Sequence, residues 1–330
     1  MSSHLSFGDQ GQRYFRRPHT HVPEAPLTSA DAWLSADLKK NADHWCYTLT
    51  AEEISEIAAA TQTALTAGRT LEDITRDNFE LPNLAGRILT WRDNIMNGQG
   101  LKLIKGLPVE TMTTEEIEAA FWGIGHHLGV PGAQNPANEL LGHVTDYGER
   151  ADDPFVRLYR TAANIRFHCD PADIVGLLCI QPAKHGGQSR LVSTVTLFNE
   201  LLKQKPHLVS RLFEPFRMDL RGETKKDQKP YSLVAPAQFA DDRLRTFYHS
   251  DYFRSVERHE GITLTAEEQE ILDFYDELAM DPTYHLDMWL EPGDMQFVCN
   301  HTIAHARTAY EDNPDSREKR HLLRLWLSAA

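Results

Sequence analysis

The sequence predicts an α+β chain in which β-structure predominates. Two sets of signals carry that expectation. Three capping boxes, Thr50-Ala-Glu-Glu53, Thr113-Thr-Glu-Glu116 and Thr265-Ala-Glu-Glu268, each precede apolar residues at helical spacing. Short apolar or alternating runs at 101–107 (LKLIKGL), 174–180 (IVGLLCI) and 295–300 (MQFVCN) have the length of strands, and turn residues bound them. The closing stretch Arg320–Leu327 alternates in the same way, with Arg320, Leu322, Arg324 and Trp326 on one face and Leu323, Leu325 and Leu327 on the other.

In chain order, residues 1–30 carry Gly, Ser, His and Pro without periodicity and read as an arm draped on the surface or a disordered tail, ahead of a single domain over 31–330. The first box predicts a helix over 51–67. The second opens a helix with Ile117, Phe121, Ile124 and Leu128 on its apolar face, and both read as scaffold. Gly129–Asp153, with Gln134, Asn135 and Asn138, is a long polar connection, either a lid at about 129–153 or a disordered surface loop. After the buried strand at 174–180, a Gly-Gly turn leads to Leu191-Val192-Ser193 and a helix starting at Thr194. Residues 218–245 are polar and irregular, and they open an insertion of about 218–285 that ends with the third capped helix.

Composition bounds the function. The chain has 330 residues, 41% of them hydrophobic, and a formal net charge of −14, which disfavours a nucleic-acid partner. A local basic pocket can still sit in an acidic surface. No run of 18 apolar residues predicts a membrane span, and Met1–Arg17 lacks the apolar stretch of a secretory signal. Cys46, Cys169, Cys179 and Cys299 show no C-x-x-C spacing and read as reduced thiols of a cytoplasmic protein. The subunit count stays open, a homo-oligomer included.

The stretch Ile165–Asp173 (IRFHCDPAD) reads as the end of a strand running into a turn at Pro171. Side chains alternate along a strand, so His168 and Asp170 share a face and Cys169 takes the other, where it packs as a small apolar residue. Their Cα atoms would lie roughly 6.5–7 Å apart, close enough for an imidazole and a carboxylate to converge on one ion. Such a pair is half of a metal site. Arg320 and Arg324 on an inward face would be costly unless they meet anions.

In order, the motifs are Gly-Leu-Pro at 106–108, Phe-His-x-Asp at 167–170, Gly-Gly-x-Ser at 186–189, Pro-Gly-Asp at 292–294, His305-Ala-Arg307 and Arg320-His-Leu-Leu-Arg324. Over about residues 100–330 this set resembles the iron(II)- and 2-oxoglutarate-dependent oxygenases of the taurine dioxygenase (TauD/TfdA-like) family. The resemblance implies a double-stranded β-helix, or jelly-roll, core of the clavaminate synthase-like kind with helices packed outside. It implies His168, Asp170 and His305 as a facial triad for Fe(II), with positions left for 2-oxoglutarate and O2. It implies Arg320 on the distal carboxylate of 2-oxoglutarate and Ser189 as the hydroxyl that helps hold it. The implied chemistry releases succinate and carbon dioxide and oxidises a C–H bond, by hydroxylation first, with desaturation or cyclisation as other outcomes.

His301 remains a second choice for the histidine ligand. Arg324 is either a contact to an anionic substrate group or a structural ion-pair residue. Arg307 reads as structural and His185 as exposed. Asn164, on the face of His168 by parity, is a candidate substrate partner, and Tyr159, Tyr248, Tyr252 and Phe253 are candidate walls. The expected substrate is a small carboxylate or amino-acid-like molecule. Two rival readings keep the metal: a cupin-like non-redox hydrolase or isomerase, and a non-catalytic binding protein.

Overall fold

The computed structural model describes residues 4–153, 155–223, 228–315 and 318–329. The capping boxes start helices where the sequence places them. Thr50, Thr113 and Thr265 accept from the backbone N–H of Glu53, Glu116 and Glu268, and the three glutamates reach back, opening the helices Ala51–Thr66, Thr114–Leu128 and Ala266–Met280.

Two sheets form the centre. The larger runs Cys46–Thr48, Leu101–Lys105, Met295–Cys299, Ile174–Gln181, His321–Ser328, with Val130–Gly132 and Gly142–Val144 both paired to the last of these. The smaller runs His285–Met288, Ser189–Ser193, Ile303–Arg307, Ile165–His168, antiparallel throughout. Period-two alternation decides what each face meets. Leu323, Leu325 and Leu327 pack with Phe121, Trp122 and Phe297 under the helices Ala51–Thr66, Leu84–Asn97 and Thr114–Leu128. Val175, Val298 and Trp326 of the larger sheet meet Leu191, Leu286 and Ile303 of the smaller one. Behind the smaller sheet, Val192, Ala304 and Ala306 pack against Thr194–Gln204 and Ala266–Met280. This is a jelly-roll core with helices on both outer faces.

Three stretches differ from the sequence expectation. Gly129–Asp153 contributes two short strands to the larger sheet, and its Gln134 is buried. Residues 218–245, expected to be irregular, contain strands of two hairpins, Phe216–Asp219 with Tyr231–Val234 and Ala237–Ala240 with Arg243–Thr246. Their strands are four residues long and rich in polar side chains, which hides the alternation. The N-terminal arm contains a helix, Phe7–Phe15, capped by Ser6.

That arm is docked by side chains that composition could not single out. Tyr14 is 1% exposed, stacks on His301 with ring centroids 4.9 Å apart, and donates to the carbonyl of Asn300 at 3.0 Å. Gln10 donates to the carbonyl of Pro171 and accepts from Ser328. The arm therefore grips the turn that follows Asp170 and the last strand together. Tyr14→Ala is expected to lower unfolding free energy by about 3–5 kcal/mol, and Tyr14→Phe by only about 1 kcal/mol, as read by denaturant titration.

A second anchor lies at the end of Phe216–Asp219. The Asp219 carboxylate accepts from Arg258 at 2.6 and 3.1 Å, from Ser255 at 2.9 Å and from the backbone N–H of Arg221 at 2.9 Å, and His259 lies at 3.1 Å. Burial would raise this carboxyl, but these donors, Arg258 first, hold it down at about 2. The unfolded chain's aspartate titrates near ~3.9. The clamp thus stabilises fully above about pH 4 and is lost as pH falls toward about 2. In acid titrations of stability, Asp219→Asn should be less stable near neutrality and should lack the parent's loss over that window.

Candidate active site

The antiparallel pairing of Ile165–His168 with Ile303–Arg307 sets His168 directly opposite His305. Their ring centroids are 4.3 Å apart. Asp170 follows two residues after His168, where the chain leaves the strand. Its Oδ1 is 3.8 Å from His168 Nε2 and its Oδ2 3.7 Å from His305 Nε2. Among the described residues these three form the one group of His, Cys, Asp and Glu side chains whose ligand atoms all lie within 4.8 Å of one another. Ligands sharing one octahedral face at about 2.1 Å would be about 3 Å apart, so closing on an ion needs movement of under about 1 Å.

The surrounding donors prepare these groups. His168 Nδ1 lies 2.9 Å from the carbonyl of Arg166, which assigns the proton to Nδ1 and leaves the Nε2 lone pair facing Asp170. Trp326 Nε1 donates to Asp170 Oδ2 at 3.0 Å, and Arg324 Nη1 stands 3.6 Å from the same oxygen. Burial would raise the Asp170 carboxyl, but Arg324 and the imidazoles of His168 and His305 hold it at about 2. Burial, with His168 beside it, lowers His305 to about 3. Asp170 is thus an anion and His305 a neutral base across the physiological range, the protonation states that metal binding requires.

His301, the alternative histidine, faces elsewhere. Its Nε2 is 2.7 Å from Asp173 Oδ1 and its Nδ1 is 3.4 Å from Arg17. Cys169 is fully buried in the core behind the smaller sheet, away from the triad. His185 is exposed.

One cavity adjoins the triad, and Ser189, Arg320, Arg324 and Tyr159 all line it. Arg320 is 5% exposed, lies 5.0 Å over the Tyr310 ring and has a buried Nη1 without a partner. The Gly-Gly turn makes room for it. A Cβ on Gly187, whose φ is +75°, would sit 3.0 Å from Arg320 Nε. Ser189 Oγ donates to Gln296 Oε1 at 2.9 Å. Arg324 donates through Nε to Gln134 Oε1 at 2.7 Å and lies 4.5 Å over the Tyr159 ring.

Asn164 is exposed and does not line the cavity. The parity argument fails there because the strand begins at Ile165 and a bulge pairs Arg307 with Ile165 while His305 pairs with His168. The extra residue turns Ile165 inward instead. Tyr248 and Phe253 are core residues, with the Tyr248 hydroxyl donating to Asp276 at 2.7 Å, whereas Tyr252 does line the cavity. Arg307, read as structural, also lines it, with Nε and Nη1 buried without partners. Burial and the charge of Arg320 pull its guanidinium down to about 10.

Sequence reasoning missed His249, Arg157, Arg221 and Asp251, all of which line the cavity. The His249 ring is 5.0 Å from His168 and 3.7 Å from Tyr252. Burial, with His168 next, pushes this imidazole well below its usual range. No motif marks these residues. Arg221, His249 and Asp251 come from the stretch 218–285 that read as an insertion, and Arg157 from the stretch between the expected lid and the strand at Ile165.

The family model "Taurine catabolism dioxygenase TauD, TfdA family" matches residues 62–326. FR-33289 synthase of Streptomyces rubellomurinus is 31% identical over 93% of this chain and 91% of its own length. The taurine hydroxylase-like protein SAT17 of Stachybotrys chartarum is 25% identical over 91% of this chain and 79% of its own. Among solved structures, an asparagine oxygenase complexed with Fe(II), 3-hydroxyasparagine and succinate superposes with a TM-score of 0.69 at 16% identity, over 86% of this chain and 93% of that one. The non-heme iron oxygenase OrfP, complexed with Fe and α-ketoglutaric acid, gives 0.64 at 15% identity, over 86% and 94%. The sheet order, the match across most of the chain and the relative at 31% identity agree, and this chain belongs to the TauD, TfdA family of dioxygenases.

Proposed function

We propose that the protein is an iron(II)- and 2-oxoglutarate-dependent oxygenase that hydroxylates a C–H bond of a small carboxylate or amino-acid-like substrate. One observation carries the reading: two imidazoles and a carboxylate converge at one end of a cavity that also holds buried arginines with unpartnered N–H groups. Buried donors without acceptors are rare in native proteins, and a ligand carboxylate would satisfy them.

His168, Asp170 and His305 would hold the iron. When bound, iron(II) supplies the oxidative decarboxylation of 2-oxoglutarate with O2 and the oxidation of the substrate C–H bond. Trp326 and Arg324 hold Asp170 in place and ionised. Arg320, with its planar fork, would bind the distal carboxylate of 2-oxoglutarate, and Ser189 Oγ would add a hydroxyl contact. Arg324 and Tyr159 would contact the substrate, with Gln134 fixing the Arg324 guanidinium. The walls keep water from the reacting centre. A non-redox hydrolase or isomerase would leave Arg320 and Ser189 without a task. The relatives whose solved complexes contain hydroxyasparagine or hydroxyarginine support the amino-acid-like class. Four free thiols fit a cytoplasmic location.

Purified protein with iron(II), ascorbate and 2-oxoglutarate should release succinate, and a screen of small carboxylates should find one that accelerates release. Without oxygen, adding 2-oxoglutarate to the iron-loaded protein should produce a weak visible charge-transfer band. A blank spectrum together with no succinate would sink the proposal. Asp170→Ala should abolish tight iron binding, measured by metal analysis after gel filtration. Arg320→Ala should retain iron but raise the KM for 2-oxoglutarate by roughly 10–100-fold, the equivalent of one or two charge-assisted hydrogen bonds.

A further inference from the structure

The hydroxyl of Ser189 carries one proton, and two acceptors compete for it. In the structure the proton goes to Gln296 Oε1, at 2.9 Å. The contact to 2-oxoglutarate assigned to Ser189 above needs the same proton, because a carboxylate offers acceptors alone. Ser189 is 8% exposed and lines the cavity together with Arg320. Gln296 is 2% exposed and does not line it, so whatever Gln296 does to an occupant it does through its neighbours.

Those neighbours leave the amide poorly satisfied. Gln296 stands on the strand Met295–Cys299 of the larger sheet, in register with Leu103 on one side and Leu177 on the other. It reaches across the layer between the sheets to Ser189 and Met288, which lie opposite each other in the smaller sheet. That layer is otherwise apolar, with Leu103, Leu191, Met288 and Val298. An amide buried in such a layer is costly unless both of its ends are bonded. Its oxygen accepts from Ser189, but among the described residues its N–H groups meet only Met288 Sδ, 3.1 Å away. A thioether is a weak acceptor. A half-turn of the amide about its terminal torsion exchanges oxygen and nitrogen, and that torsion is soft. Nε2 then faces Ser189 Oγ and Oε1 faces Met288 Sδ, with no movement of the backbone.

We propose that Gln296 is a positioning residue of the 2-oxoglutarate site: its amide turns when the distal carboxylate binds, so that Nε2 donates to Ser189 Oγ and Ser189 donates to the carboxylate. The proposal rests on the oxygenase reading and adds a residue to its co-substrate site. The turn gives up a hydroxyl-to-amide bond and a bond to sulfur. It gains an amide-to-hydroxyl bond and a bond to a charged acceptor, which is the stronger kind. The donors then point in series toward the anion, and each bond polarises the next. A 2-oxo acid without a distal carboxylate gives the hydroxyl proton no new acceptor, so the amide stays as it is. Part of the preference for 2-oxoglutarate therefore comes from Gln296.

The test is anaerobic titration of the iron-loaded full chain with 2-oxoglutarate and with 2-oxopentanoate, which has the same chain length and no distal carboxylate. The visible charge-transfer band reports the binding of both through their keto-acid ends. Gln296→Met keeps the length of the side chain and removes its donor and its acceptor. This variant should bind 2-oxoglutarate roughly 3–10-fold more weakly and 2-oxopentanoate as the parent does. An amide that only competes for the Ser189 proton predicts the opposite sign, since its removal would free that proton for the carboxylate. Ser189→Ala should weaken 2-oxoglutarate by roughly 10-fold, and adding Gln296→Met to it should cost nothing further. Gln296→Glu is a second variant of the same length. Its ionised carboxylate accepts from Ser189 and cannot donate, so its loss should reach at least ~10-fold and exceed that of Gln296→Met. Unchanged or tighter 2-oxoglutarate binding in Gln296→Met overturns this inference and leaves the oxygenase reading standing. So do equal weakening of both acids and losses that add in the double variant. If Gln296→Met does not fold, Gln296→Glu decides, and 2-oxoglutarate binding as tight as the parent's overturns the inference. A parent that gives no band with either acid overturns the oxygenase reading itself.

Discussion

Two antiparallel strands of the smaller sheet, Ile165–His168 and Ile303–Arg307, carry the geometry on which the site depends. Their register sets the two histidines opposite one another although 137 positions separate them in the chain, and Asp170 joins them because the chain turns at Pro171 right after the strand. A one-residue slip would send every inward side chain to the other face. The bulge between His305 and Arg307 is the one tolerated departure. It rotates the start of the strand so that Ile165 lines the cavity and the polar Asn164 and Arg166 face out.

Charge is the second organising constraint. The protein is acidic overall, yet the cavity lining concentrates arginines, several of them largely buried. Arg320 lies over Tyr310 and Arg307 is held by the carbonyls of Thr161 and Ala163, whereas Arg324 is fixed by Gln134 and paired with Asp170. Carbonyl and aromatic contacts orient the Arg307 and Arg320 guanidinium groups without neutralising them. Glu223 on Arg157 shows the contrasting arrangement, a cation used as a strut between two loops.

Those loops come from parts of the chain that read as least structured. Residues 145–153 and 155–160 and the end of the Phe216–Asp219 strand meet beside the cavity, joined by Arg157 with Glu223 and by Arg221 with the carbonyls of Asp153 and Val156. The N-terminal arm acts at the opposite end of the same construction. It secures the turn after Asp170 through Gln10, and Asn300, whose carbonyl accepts from Tyr14, offers Oδ1 to the Asp170 backbone N–H at 3.4 Å.

By itself the sequence determined where helices begin, which strands alternate and which residues could ligate a metal. Capping boxes act within four residues, strand parity acts between neighbours, and the ordered motifs at His168, Asp170, His305 and Arg320 are distinctive as a set. Only the tertiary structure decided that Arg307 lines the cavity, that Asn164 does not, that His301 turns to Asp173, and that His249, Tyr252 and Arg221 form a line from the triad. Each of those outcomes depends on a bulge, a left-handed residue or a contact between segments more than a hundred residues apart or on different loops. Such features leave no period and no motif, because their energy comes from partners that sequence proximity does not reveal.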